Sequence, residues 1–258
     1  MPVEQKVDLP VNLTLQFPLP DGRELVRGPL TYNFDGVATF HVAEFLKDER
    51  FKRAWVAGVS TEHQPPEFEN YWGIYIHCWA AQHALRLPGD FVDCGVHTGI
   101  SARAAADYVA FESVHDKTWF LVDTYAGAPI EQFTAEELQL GAAERAKRYA
   151  LDTFGIVQRS FARYSNVRLV KGAIPESLSQ VTCEKIAYLS IDLGSAYAET
   201  SVARVLWKRM VRSAIAILDG YASESRRTPL KAAWDELAAE MGFSIVTVPT
   251  GQGLLIKA

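Results

Sequence analysis

Asp93-Cys-Gly-Val-His-Thr-Gly99 places an acid two residues before the first of two glycines, in a stretch, DFVDCGVHTGIS, that leaves an apolar run and enters the alanine-rich SARAAADYVA. A loop built for a dinucleotide carries G-x-G-x-x-G, so that its backbone can approach a pyrophosphate at a helix N-terminus. Here Gly95 and Gly99 remain, but Val96 and His97 stand between them and the middle glycine is absent. The Asp93 carboxylate would repel a pyrophosphate and attract a cation. S-adenosylmethionine carries an ammonium and a sulfonium and no phosphate, so it suits this turn better than NAD. Asp123 closes the next apolar run, where an acid can accept hydrogen bonds from ribose hydroxyls. Either acid taken alone could simply cap a helix or turn.

The elements that must position these residues follow from the apolar pattern. Short apolar runs fall at 90–94, 118–123, 167–171, 186–192 and 214–219, each separated from the next by enough chain for a helical crossover, which predicts five parallel strands. Runs at 243–248 and 253–257 are joined only by Pro-Thr-Gly-Gln, too short for a crossover, so they must form an antiparallel hairpin. Residues 134–164, rich in Ala, Glu, Arg and Lys, predict one or two helices in an enlarged crossover, with a solvated charged face or a substrate lid as its two readings. Upstream, residues 1 to about 35 read as an extended appendage with a hairpin turn at Leu-Pro-Asp-Gly-Arg, 19–23. Helical spacing runs from Ala38 to about Val59 and, after the breaker His63-Gln-Pro-Pro66, from about Glu67 to Leu87. The expected division is an extension and helical cap over 1–66 and a ligand-binding domain over 67–258.

Composition narrows the class. The 258 residues suffice for one large α/β domain with an appendage. A formal net charge of −5 offers no basic field for phosphate backbones, which argues against nucleic acid as the main partner. Cys78, Cys94 and Cys183 are odd in number and widely spaced, fitting neither a disulfide framework nor a paired-cysteine zinc site, so a reducing cytoplasm is the expected setting. No signal peptide or membrane span is indicated.

The blocks GDFVDCGVHTGIS, FLVDTYAG, VRLVKGAIPESL, YLSIDLGSAYAET, AILDGY and PTGQGLLIK, in that order over about residues 70–258, resemble the class I S-adenosylmethionine-dependent methyltransferases and, more closely, the macrocin O-methyltransferase (TylF-like) group. The resemblance implies a Rossmann-like seven-stranded sheet with helices on both faces. It implies Asp93, Gly95 and Gly99 around the methionine end of the cofactor, Ser101 at the helix entrance, Asp123 with Thr124 and Tyr125 at the ribose, and Gly172 and Ala173 beside the adenine. Asp192 matches an aspartate that serves the family as base and metal ligand, and Asp219 matches a second metal ligand, so Mg2+ is an implied partner. Where family members carry paired acids, this chain continues Leu193-Gly194 and Gly220-Tyr221. The implied acceptor is a small hydroxylated natural product or sugar, and the implied assembly a homo-oligomer.

The sulfonium already makes the methyl carbon electrophilic, so catalysis requires in-line alignment and an acceptor that loses its proton; Asp192 is the candidate general base. His97, inside the turn, faces either the ligand or solvent. Trp72, Ile76, Trp79 and His83 share a helical spacing that indicates core packing, and neither His77 nor His83 is selected as a ligand. The Cys94 thiol is read as buried and inert, and Glu224–Arg227 as a surface loop. Besides O-methylation, two alternatives stand: altered chemistry on the same cofactor, such as N- or C-methylation or cyclisation, and a non-catalytic binding protein.

Overall fold

A computed structural model describes residues 15–18, 24–27, 30–62, 69–223 and 228–258. Strands β1 (Leu15–Pro18) and β2 (Glu24–Arg27) pair antiparallel, as arms of a hairpin require; the turn expected at 19–23 lies outside the described residues. The helix expected from Ala38 begins later. Residues Tyr32–Phe34 (β3) and Val37–Thr39 (β4) form a second hairpin, and α1 runs only over Glu49–Val59. The overriding signal is Asp35-Gly36, with φ of 44° and 76°, the two-residue turn chemistry of a tight hairpin. Asp48 then starts α1 by accepting a hydrogen bond from the Arg50 amide at 2.8 Å.

Helix α2 (Tyr71–Ala84) is capped by Asn70, whose side chain accepts from the Gly73 amide at 3.1 Å. The breaker at 63–66 and the expected helix start at Glu67 lie outside the described residues. From Asp90 the expected beat holds: β5 (Asp90–Cys94), α3 (Ile100–Tyr108), β6 (Trp119–Asp123), β7 (Val167–Lys171), β8 (Ile186–Ile191), α7 (Ala196–Leu206) and β9 (Met210–Leu218), with α4 (Ala135–Gln139), α5 (Ala142–Arg148) and α6 (Phe154–Ser160) in the crossover between β6 and β7. Helix α8 (Thr228–Met241) leads into the hairpin β10 (Val246–Thr247) and β11 (Gly253–Ile256).

The sheet order is β10-β11-β9-β8-β5-β6-β7. The five strands from β9 to the β7 edge run parallel, and β11 enters antiparallel beside β9. Strand β8 is buried along its whole length, as expected of a parallel strand covered on both faces. One face packs on α1, α2 and α3 through Phe91, Trp119, Leu121 and Tyr188; the other packs on α7 and α8 through Val92, Val122, Leu189 and Trp234. The chain winds outward from β5 in both directions, so β5 and β8 border the switch point, where open α/β sheets bind ligands beyond their carboxyl ends. No helix among the described residues is long and apolar enough to cross a membrane.

Candidate active site

At the switch point each strand end is tied to its neighbour by one bond beyond the ladder: Gly95 N to Val122 O at 2.9 Å, Gly172 N to Asp123 O at 2.9 Å, Asp192 N to Cys94 O at 2.8 Å and Asp219 N to Ile191 O at 3.0 Å. These ties set Asp93, Asp123, Asp192 and Asp219 around one cleft of about 280 Å³. Gly95 is what lets the first turn leave the sheet here. Its φ is +90°, and a Cβ at that position would lie 2.0 Å from the Asp192 carbonyl oxygen, so a side chain is excluded by backbone.

Asp93 sits on the cleft floor, 4% exposed, and accepts a hydrogen bond from the Trp119 indole at 2.7 Å. Burial pushes its carboxyl up to about 6, against the opposing pull of His77 and of the Trp119 bond. Asp123 holds the turn itself: one oxygen accepts from the Val96 amide at 2.6 Å and the His97 amide at 2.8 Å, the other from the Tyr125 amide at 2.6 Å. A carboxylate has about four acceptor directions, so three backbone bonds leave Asp123 a rigid anchor whose capacity for ribose hydroxyls is small.

Asp192 is exposed at the cleft rim, and a buried acid orders its loop. Glu199, fully buried on α7, accepts from the Leu193 amide at 3.1 Å, the Gly194 amide at 2.9 Å and the Trp234 indole at 2.8 Å. The opposite wall is stitched to the same loop. Glu137 on α4 accepts from the Thr134 and Ala196 amides, both at 2.8 Å, capping α4 and α7 together. Gln132 donates to the Ile174 carbonyl at 2.6 Å, and the Ser195 hydroxyl donates to the Gln132 carbonyl at 2.6 Å. The enlarged crossover is thus three short helices fastened over the cleft, with Arg145 and Tyr149 on its wall. Tyr149 meets His97 edge to face at 5.2 Å, and burial holds the His97 imidazole below its ordinary pKa despite Asp123.

Asp219 is reached by a residue the apolar pattern had hidden. His77, on α2 and 1% exposed, places Nε2 3.1 Å from Asp219 Oδ1 and Nδ1 2.8 Å from the Tyr188 hydroxyl. Burial pushes its pKa down, but the bond and charge of Asp219, with Asp93 and Asp192 behind it, reverse this and raise it. The Gln252 side-chain amide, in the terminal hairpin, also donates to Asp219 Oδ1. His83 instead ties α2 to β9 through the Ser213 carbonyl at 2.9 Å.

Of the residues expected at the ligand, Asp93, Gly95, Ser101, Asp123, Thr124, Gly172, Asp192 and Asp219 line the cleft, as does His97. Three do not. Gly99 is the left-handed N-cap of α3, its Cα facing the Phe161 ring. Tyr125, with φ of 56°, turns its ring inward, 1% exposed, and its hydroxyl donates to the Leu121 carbonyl at 2.8 Å. Ala173 begins the turn into Glu176–Gln180, its carbonyl accepting from Ser177, while Gly172 and Ile174 line the wall. Cys94 is buried in β5, where burial and the charge of Asp93 raise its thiol pKa, which suits an inert packing role. The 224–227 loop lies outside the described residues. The long-range contacts of Glu137 to Ala196, Glu199 to Trp234 and Gln252 to Asp219 carried no sequence signal, although Thr134 and Glu137 also form a local capping box.

The structure is similar to that of the O-methyltransferase NovP (18% identity, 79% of this chain and 88% of that one, TM-score 0.66). It is also similar to the calicheamicin methyltransferase CalS11 (15%, 84% and 94%, 0.57) and to the S-adenosylhomocysteine-bound methyltransferase PaMTH1 of Podospora anserina (12%, 82% and 88%, 0.50). At such identities these likenesses establish the fold. No protein of curated function matches the sequence. Residues 77–243 match the macrocin-O-methyltransferase (TylF) model, a span that holds every strand of the parallel sheet and all four cleft aspartates, and the chain belongs to that family of S-adenosylmethionine-dependent methyltransferases.

Proposed function

We propose that the protein transfers the methyl group of S-adenosylmethionine to a hydroxyl of a small-molecule natural product or sugar, with Asp192 as general base. The observation that carries this is the division of the cleft: Asp93 and Asp123 sit at the ends of adjacent strands on one side, and Asp192 stands exposed at the rim on the other. Four carboxylates converging on one cleft favour a cationic ligand over a phosphate-bearing one. The buried Asp93 carboxylate suits the ligand's ammonium, and the one acceptor direction that backbone bonds leave on Asp123 suits a single ribose hydroxyl.

With the cofactor so seated, an acceptor hydroxyl entering past Arg145 and Tyr149 meets Asp192. The hydroxyl oxygen forms a bond to the methyl carbon, the carbon–sulfur bond breaks with its electron pair left on sulfur, and Asp192 takes the hydroxyl proton. Products are a methyl ether and S-adenosylhomocysteine. Alignment by a fixed wall supplies the larger share of such catalysis, since the sulfonium needs no covalent activation. Membership of the macrocin-O-methyltransferase family, with the likeness to a calicheamicin methyltransferase beside it, supports a natural-product acceptor.

Calorimetry with S-adenosylmethionine tests the cofactor assignment, and absence of binding by the intact protein refutes it. A panel of hydroxylated natural products, followed by S-adenosylhomocysteine release, identifies the acceptor. Against that acceptor Asp192→Asn is expected to lose at least a hundredfold in turnover while keeping cofactor affinity; undiminished turnover removes Asp192 from the base role.

A further inference from the structure

We propose that His77 and Gln252 stand where a divalent cation would serve this cleft: their N–H groups hold the Asp219 carboxylate, and methyl transfer proceeds without a metal. The inference deepens the methyltransferase reading and rests on it.

Mg2+ demands near-octahedral oxygen ligands, supplied by carboxylates with open lone pairs plus waters. The donors present in the cleft do not fit that demand. Asp192 and Asp219 end separate strands, and the positions beside them, Leu193, Gly194 and Gly220, bring no second acid. Among the described residues no group of three or more His, Cys, Asp or Glu side chains is placed to hold a metal. Asp219 Oδ1 accepts from His77 Nε2 at 3.1 Å and from the Gln252 amide, which engages both acceptor directions of that oxygen. A cation approaching it would meet two N–H dipoles by their positive ends.

Both donors are fixed in this orientation by further contacts. A carboxylate only accepts, so Nε2 of His77 carries a proton toward Asp219, and Nδ1 is held by a hydrogen bond with the Tyr188 hydroxyl at 2.8 Å. The Gln252 amide oxygen accepts from the Thr250 hydroxyl at 2.8 Å, so its NH2 faces Asp219. Helix α2 and the terminal hairpin therefore converge on a carboxylate at the end of β9. His77 also lines the cleft, but with both nitrogens engaged and 1% exposure it acts as a positioning residue for Asp219, whose side chain is 21% exposed.

The test is electron paramagnetic resonance of Mn2+ added to the intact protein saturated with S-adenosylhomocysteine. The expected result is an aquo-ion signal of undiminished amplitude, meaning no site tighter than about 1 mM. Signal loss that Asp219→Asn abolishes overturns the proposal. Gln252→Glu replaces an N–H donor by an oxygen of the same shape and is expected to create Mn2+ binding at least tenfold tighter than in the intact protein; no gain overturns the role given to Gln252. Calorimetry with S-adenosylhomocysteine accompanies each sample. Failure there counts against the methyltransferase reading, whereas Mn2+ capture with S-adenosylhomocysteine bound counts against the metal-free site alone.

Discussion

Replacing Asp93 by Asn should make the free protein more stable and the cofactor complex weaker. In the free protein burial raises the Asp93 carboxyl from 3.8 to about 6. Between those values the native state keeps a proton that the unfolded chain has released. The stabilising contribution is therefore complete below pH 3.8, is lost as pH rises to about 6, and becomes a constant cost above it. Roughly two pKa units at 1.4 kcal/mol each make that cost about 3 kcal/mol at pH 7.5. Asn removes the charge but accepts a weaker bond from the Trp119 indole, a loss of about 1 kcal/mol. A net gain of about 2 kcal/mol corresponds to a rise of roughly 4–8 °C in Tm for a chain of this size. Binding has the opposite sign. An ammonium beside Asp93 favours its charged form, so S-adenosylmethionine binding releases a proton below about pH 6 and affinity falls as pH drops, by up to about tenfold per unit. Loss of a charge-assisted bond worth roughly 2–3 kcal/mol should weaken the Asp93→Asn complex by about 30–150-fold and flatten its pH profile. Thermal melts of the free proteins and calorimetry from pH 5 to pH 8 in buffers of different ionisation enthalpy measure both arms. A flat affinity profile in the unmodified protein, or an Asp93→Asn protein that melts lower and binds equally well, refutes the reasoning.

Glu199→Ala strands the Leu193 and Gly194 amides and the Trp234 indole beside α7; it is expected to cost about 3 kcal/mol, seen as a Tm lower by roughly 6–12 °C. Glu199→Gln, which keeps two of the three acceptor contacts, should recover part of that loss in the same melt. Gly95→Ala pushes a methyl into the Asp192 carbonyl and is expected to abolish cofactor binding by calorimetry, and an affinity within threefold of the unmodified protein would contradict the close approach. The Asp192→Asn and Mn2+ outcomes complete the set, one read by turnover and the other by resonance.

What could be seen in the chain was whatever is local. Five spaced apolar runs, and a four-residue connection between the two runs that follow them, determine a parallel sheet ending in a hairpin, because crossovers and hairpins differ in the length they require. Asp93 and Gly95 were legible for the same reason, since a strand, a glycine turn and a helix follow one another directly. The Asp35-Gly36 hairpin was equally local, yet helical spacing after Ala38 masked it; a short apolar stretch fits both periods, and the turn pair decides. Tyr125 was misplaced by a single backbone angle: a positive φ sends its ring into the core while its neighbours Asp123 and Thr124 stay on the wall.

Only the tertiary structure decided which polar residues meet. His77 lies in an apolar helix and Gln252 in a terminal turn, and nothing near either in sequence indicates a carboxylate partner; the sheet brings both to Asp219. Glu137 likewise reaches the Ala196 amide, and Glu199 the Trp234 indole, donors supplied by other segments. The sequence by itself determined the fold and the strand ends that carry the four aspartates, since hydrophobic period and connection length act over a few residues. The protonation and hydrogen bonding of those aspartates, on which the chemistry depends, come from burial and from donors brought in across the fold.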